Sequence, residues 1–508
     1  MDQLKIETQE TKLVAPGREY GGEQPLEIRV TLPEYLGDVV RVLRCTVSAL
    51  PENVAVAGER LNANGSARVH IVYLADGDGV CAYDTSEPFT KSMEAPGIPE
   101  QVSVLPVYRA DAPVCRAVSP RSLEIRTVVR MRFRVCERRT RSLAAEIKGG
   151  DVLTRKRELT VCDIENISAK QCSVSGVCPL PAENGPIGRI LCADASCRVN
   201  ETRVITNKAM VRGEVSVSVF YLADDGAPQT ARLGLPFSEI VDAAGIGDGM
   251  LVRVSAEPLW ASAEKKGAKE SAREAECTAV IRLALTAEKM NRLTAATDVF
   301  SPAFELDAEY ADLTAVEESR TVGESVTAEG RADLSRLQPQ KILHHTERVD
   351  SVSVTSDETG VRLNGVVNVG MFVLSQEGEI CFAESGIEFT FGKTLTGGAA
   401  ACSFSPVLTM NSADVSLDGG VAVIRSEVYV EGRIDAVCTV GALTRVSLRE
   451  DAPKARDSGL VIYFPTEGEQ LWDIAKKYGA SPELLRADND LADEDAAPDG
   501  KPLLIARI

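Results

Sequence analysis

Between Leu123 and Val135 the chain alternates: Leu123, Ile125, Thr127, Val129, Met131, Phe133 and Val135 share one side, and Arg126, Arg130, Arg132 and Arg134 take the other. A period of two sets one face on a core and the other in water, which predicts a long, half-buried antiparallel strand. The stretch from Arg68 to Leu74 alternates in the same way and runs into Asp76-Gly77-Asp78-Gly79, the chemistry of a tight hairpin turn. Asp224-Asp225-Gly226 and Gln376-Glu377-Gly378 follow two later runs of the same kind.

These runs belong to a pattern written three times. The middle copy carries Arg189-Ile190-Leu191, Gly213, Val217, Val219, Tyr221-Leu222-Ala223-Asp224, Pro236-Phe237 and Gly245-Ile246. The same marks stand 148 positions earlier, at Arg41-Val42-Leu43, Gly65, Val69, Ile71, Tyr73-Leu74-Ala75-Asp76, Pro88-Phe89 and Gly97-Ile98. They return 152 positions later as Lys341-Ile342-Leu343, Gly365, Val369, Met371, Leu374, Phe389 and Gly397, with Val373 replacing the tyrosine and Glu388 the proline. Each unit is about 120 to 130 residues, a domain rather than a solenoid repeat. Short strands joined by turn residues predict a β-sandwich or small barrel in each unit, and we place three β-sandwich-like repeats at 24–137, 165–288 and 317–440. The recurring tyrosines and phenylalanines read as core. Gly65, Gly213 and Gly365 fit no phosphate-binding motif, and read as sites of positive φ or close backbone approach.

The segments from Glu137 to Glu158 and from Glu288 to Glu318 read as connectors, with Leu143-Ala144-Ala145 predicting a short helix in the first. The mixed charges of Trp260 to Glu276 predict an exposed loop or a solvated helix. Residues 441–459 lose the alternation and read as a linker. The tail, 460–508, differs: Leu460-Val461-Ile462-Tyr463-Phe464 is strand-like, and Leu471, Ile474, Ala475 and Tyr478 fall on one helical face. Gly479 ends that helix, Ser481-Pro482 opens another, and Pro502 to Ile505 closes with a strand, giving β-α-α-β.

Composition narrows the function. An apolar fraction of 44% supports several cores, and a net charge of -19 argues against nucleic acid and anionic membranes. No run of about 18 apolar residues occurs, so no membrane span is expected. Thirteen scattered cysteines without C-x-x-C suggest a reducing compartment, with the thiols as buried hydrophobes. Met1 to Glu10 has neither the basic nor the apolar region of a secretory signal, so we expect a cytoplasmic protein. The three histidines, His70, His344 and His345, sit in no catalytic or metal motif, and Gly-x-Ser-x-Gly and P-loop patterns are absent. We expect no enzyme and no cofactor or metal.

The tail resembles a LysM domain. Gly468, Glu469, Leu471, Trp472, Ile474 and Ala475 match that family's Gly-acid-x-Leu-Trp-x-Ile-Ala segment, Asn489 and Leu491 its Asn-x-Leu, and Pro498 to Gly500 its Pro-Gly. Three repeats with this spacing before such a tail resemble the SPOCS-domain spore-coat proteins of the SipL type, found in endospore-forming Firmicutes. The resemblance implies a scaffold on the mother-cell side of the forespore surface that binds the coat morphogenetic ATPase or other coat proteins, with the LysM turned from glycan to protein recognition. Gln470, where glycan binders commonly carry a small hydroxyl residue, is a departure against carbohydrate.

The residues expected to carry partner or glycan contact are Gly468, Glu469, Gln470, Trp472, Asp488, Asn489, Asp490 and Leu491. Trp472 lies about 100° round the helix from Leu471 and reads either as an exposed anchor or as structural packing. The tail's ten acids against five bases concentrate at Asp488 to Asp499, an acidic face suited to a basic protein patch or a solubilising loop. The expected molecule is a non-catalytic adaptor, three β domains in series with LysM on a flexible tether. Peptidoglycan binding by that LysM is the alternative.

Overall fold

The computed structural model describes residues 4–98, 102–149, 151–267, 272–395, 401–453, 459–466, 468–491 and 501–507. The chain is mainly β, as the alternation requires, and each repeat folds into two antiparallel sheets. In the first repeat β2 (Val39–Ala57), β3 (Arg60–Ala75) and β4 (Gly79–Glu94) form a meander. Facing it, β1 (Lys5–Thr31) pairs along its length with β7 (Ser122–Lys148), from Lys5↔Lys148 to Thr31↔Ser122, with β5 (Ser103–Ala110) and β6 (Val114–Ser119) on the other edge of β7.

The second repeat keeps this plan: β9 (Ile187–Ile205), β10 (Lys208–Ala223) and β11 (Pro228–Asp242) form the meander, opposite β8 (Leu153–Pro179), β13 (Glu274–Phe300) and β12 (Leu251–Lys266). The third places β15 (Pro339–Ser356), β16 (Gly360–Ser375) and β17 (Ile380–Thr394) opposite β14 (Phe304–Asp333), β20 (Val421–Pro453) and the short edge strands β18 (Ala401–Phe404) and β19 (Val407–Asp418).

Inward residues of the two sheets make each core. Ile71 and Tyr73 meet Ile125, Met131 and Phe133 in the first repeat, and Val217, Val219 and Tyr221 meet Ile281, Leu283 and Leu285 in the second. The Tyr221 hydroxyl donates to Gly185 O at 2.9 Å, fastening the loop that enters the meander. The repeated glycine and phenylalanine are cross-strand partners: Gly65↔Phe89, Gly213↔Phe237 and Gly365↔Phe389. A Cβ on these glycines would lie 2.7, 2.5 and 2.6 Å from the partner's Cζ. The glycines therefore exist to let a ring lie flat across the strand. The turn glycines Gly77, Gly226 and Gly378 supply the positive φ instead.

Several local expectations change. Leu143 and Ala144 are buried within β7, not helical, because β1 extends far enough to pair with them. Trp260 to Glu276 is a hairpin, with β12 reaching Lys266 opposite Glu274; residues 268–271 lie outside the described set. Residues 441–449 of the expected linker continue β20, and Ala442, Leu443 and Val446 are buried. These extensions have a shared cause. The long strands outrun their own sandwiches and bury their ends together, Leu143 with Leu159, Leu293, Leu313 and Ala442 from all three repeats.

Nor do the repeats stand in series. β4 packs on β9, β11 on β15, and β17 on β2, so the meanders close a ring. Its centre holds Val72, Phe220 and Phe372, with Phe220 and Phe372 ring centroids 5.0 Å apart. Two of the three joints carry an arginine reaching a neighbour's cysteine: Arg189 to Cys81 Sγ at 2.9 Å and Arg41 to Cys381 Sγ at 3.8 Å.

We expect Gly213→Ala to lower the unfolding midpoint of the whole chain, at a cost of about 1–3 kcal/mol from overpacking. Gly441→Ala, whose Cβ would meet nothing within 4 Å, should leave it unchanged. Thermal unfolding followed by circular dichroism checks both.

Candidate functional site

The tail folds as β21 (Gly459–Tyr463), α1 (Leu471–Tyr478), α2 (Pro482–Asp488) and β22 (Leu503–Arg507). The helices form where the apolar spacing predicts: Leu471, Ile474 and Ala475 are buried under β21 and β22 together with Leu485. Gly479, at φ 66°, ends α1 in the left-handed conformation and returns its N–H to Ala475 O and Lys476 O. Pro482 occupies the first turn of α2.

Most of the expected contact residues serve this fold. Asn489 behaves as a spliced peptide group: its Nδ2–H groups donate to Leu485 O and Leu504 O, both at 2.8 Å, while its Oδ1 accepts from Leu504 N at 2.7 Å. It joins α2 to β22. Glu469 accepts from the Tyr463 hydroxyl at 2.7 Å and from Thr466 N at 2.8 Å, and these donors hold its carboxyl below the usual range. Leu491 packs on the tail's core. Gly468 is exposed at φ 85°, and Asp488 and Asp490 are exposed, Asp490 at φ 51°. Pro498, Gly500 and the remaining acids of the expected acidic face, Asp493 to Asp499, lie outside the described residues.

Trp472 is not an exposed anchor. It is 7% exposed, set edge-on against Phe300 at 5.0 Å, and its Nε1–H donates to Asp298 at 2.7 Å. Lys476 reaches the same carboxylate at 2.6 Å. Burial alone would raise the Asp298 pKa; Lys476 and the indole N–H outweigh it and hold the carboxyl below its ordinary value. Gln470 accepts from Arg155 at 2.5 Å, a second bond to the repeats. The tail is thus docked on the end of the second repeat rather than tethered. Asp298, Phe300 and Arg155 were missed because they lie more than 170 residues away on strand ends, where no local periodicity marks them. Between tail and repeats lies a cleft of about 820 Å³, bordered by Arg155, Lys156, Arg157, Trp472, Glu483 and Arg486.

With the helices covering one side, the other side of β21 and β22 is bare and apolar: Leu460 is 68% exposed, Ile462 61% and Phe464 66%, beside Leu504, the register partner of Ile462. Apolar residues clustered this way on a small domain mark an interaction face.

The fold is that of a multidomain β protein with an exposed apolar face on its tail. Residues 186–266, which hold the meander and β12 of the second repeat, match the family model described as SipL, SPOCS domain. That match marks the second repeat as similar to a SPOCS domain, which supports a protein of the SipL type connected with sporulation and the spore coat. Searches of curated proteins and of solved structures found no match. No helix among the described residues is long and apolar enough to cross a membrane.

The Asp298 contact predicts how docking responds to acid. Its folded-state pKa is depressed, so its contribution is present above the unfolded value, about 3.9, and is lost as pH falls through the lower folded value. In a Trp260→Phe background, where Trp472 is the one remaining tryptophan, Asp298→Ala should shift its emission to the red at pH 7. It should also flatten the change seen in the parent on acidification below about pH 4.

Proposed function

We propose that the chain is a non-catalytic adaptor of spore-coat assembly, which engages a coat protein through its LysM-like tail and holds it at the forespore surface. The coat morphogenetic ATPase is the partner this reading favours. One observation carries it: the outer face of β21 and β22 presents Leu460, Ile462 and Phe464 to solvent on a domain whose other side is already packed. Exposed aliphatic and aromatic side chains on a rigid two-stranded sheet suit a protein surface and offer a sugar few hydrogen bonds. Glu469 and Asn489, expected among the contact residues, are held by hydrogen bonds within the tail, and Gln470 accepts from Arg155 of the second repeat.

The ring of repeats gives that face a rigid mount. Docking of Trp472 on Phe300 fixes the orientation of the tail, so partner binding carries little of the ordering cost that a loose tether would add.

The test uses the full chain, since the tail leans on the second repeat. Binding to the purified coat ATPase and to purified peptidoglycan is measured for the parent, Leu460→Ser and Phe464→Ser. We expect the parent to bind the ATPase and each substitution to weaken it about tenfold, or about 1.4 kcal/mol. Undiminished ATPase binding by both variants sinks this assignment of the face, and binding to peptidoglycan alone sinks the adaptor reading.

A further inference from the structure

Ring closure brings one equivalent position of each repeat to the centre: Arg44 from β2, Cys192 from β9 and His344 from β15. Asp194, two residues beyond Cys192 on the same face, joins them. Arg44 grips Asp194 with both Nη groups, at 2.9 and 2.8 Å. Cys192 and His344 are each 2% exposed, and His344 stacks on Phe220 at 5.2 Å.

His344 turns one ring nitrogen to each side. The Thr230 hydroxyl lies 3.2 Å from both Leu343 O and His344 Nδ1, so Nδ1 is engaged and Nε2 is the ring nitrogen left facing the centre. Nε2 is buried without a hydrogen-bond partner and faces the Asp194 carboxylate 4.0 Å away, beside the Cys192 thiol. A cation between them would give the unpartnered nitrogen and the carboxylate a common partner. Sulfur, carboxylate oxygen and ring nitrogen all lie within 4.8 Å of one another, and sulfur, oxygen and imidazole nitrogen together form a zinc-type donor set.

We infer that Cys192, Asp194 and His344 form a buried site for a thiophilic divalent cation of the zinc class, joining the second and third repeats at the centre of the ring. The Thr230 contact on Nδ1 and the Arg44 grip on Asp194 are the outer partners that orient two of the three ligands. Binding releases the Cys192 thiol proton to solvent. Arg44 adds a positive charge, but Glu384 lies within electrostatic reach of it, so thiolate, two carboxylates, guanidinium and dication sum to zero. Asp194, with 30% of its side chain exposed, provides the way in.

Metal-free full-length protein is titrated with Co²⁺ against a competing chelator, and then with Zn²⁺. We expect one tightly bound equivalent, a near-ultraviolet thiolate-to-cobalt charge-transfer band, and displacement of cobalt by zinc. Cys192→Ser should abolish the band and His344→Gln should weaken binding at least tenfold. Cys402→Ser, which alters a buried thiol in the core of the third repeat, should leave both intact. Absence of the band in the parent chain overturns the inference without recourse to any variant. So does a band that survives Cys192→Ser.

Discussion

A three-stranded meander has two faces, and in this protein both are apolar. Val69, Ile71 and Tyr73 point into the first sandwich, and Val72, between them, points out yet is fully buried. Phe220 and Phe372 hold the same position in the other copies. An outward phenylalanine on an isolated sandwich would lie in water, losing the roughly 1.5–3 kcal/mol that burial of such a side chain contributes. Three meanders placed against one another remove all three residues from solvent at once. The ring, the crossing of the long strands beneath it and the platform for the tail follow from that burial.

Charged groups then fix which repeat sits where. The apolar centre is nearly symmetric and would accept the copies in any order. Arg44 of the first repeat with Asp194 of the second, at the centre, and Arg433 of the third with Glu288 of the second, at 2.8 Å, each join one particular pair of repeats. Arg253 binds the same Glu288 at 2.6 Å, so the carboxylate is shared by two arginines in a nearly dry setting. Buried pairs of this kind add little net stability, but leaving one partner alone is costly, which penalises a wrong arrangement.

Much of the fold was legible. The alternation made the mainly β architecture legible, and the Leu471-Ile474-Ala475 face located the first helix of the tail. The ring was not read, although the apolar residue at Val72, Phe220 and Phe372 broke the alternation in every copy. An apolar residue at an outward position says that something covers it, and not what. Trp472 shows the same limit: helical geometry turned it off the tail's own core, and the surface that received it, Phe300 and Asp298, belongs to another domain. Asn489 matched a motif and proved structural, because motif spacing cannot tell a ligand contact from a hydrogen bond that closes the fold.

Three subunits that met through Val72, Phe220 and Phe372 as separate chains would part on dilution. Written into one polypeptide, the same contacts are immune to dilution, and each copy appears once in each molecule. The copies are then released from the need to be identical. One can lose its tyrosine to Val373, and one central position can be arginine, another cysteine and the third histidine, a division of labour that a homotrimer obeying threefold symmetry has no way to encode.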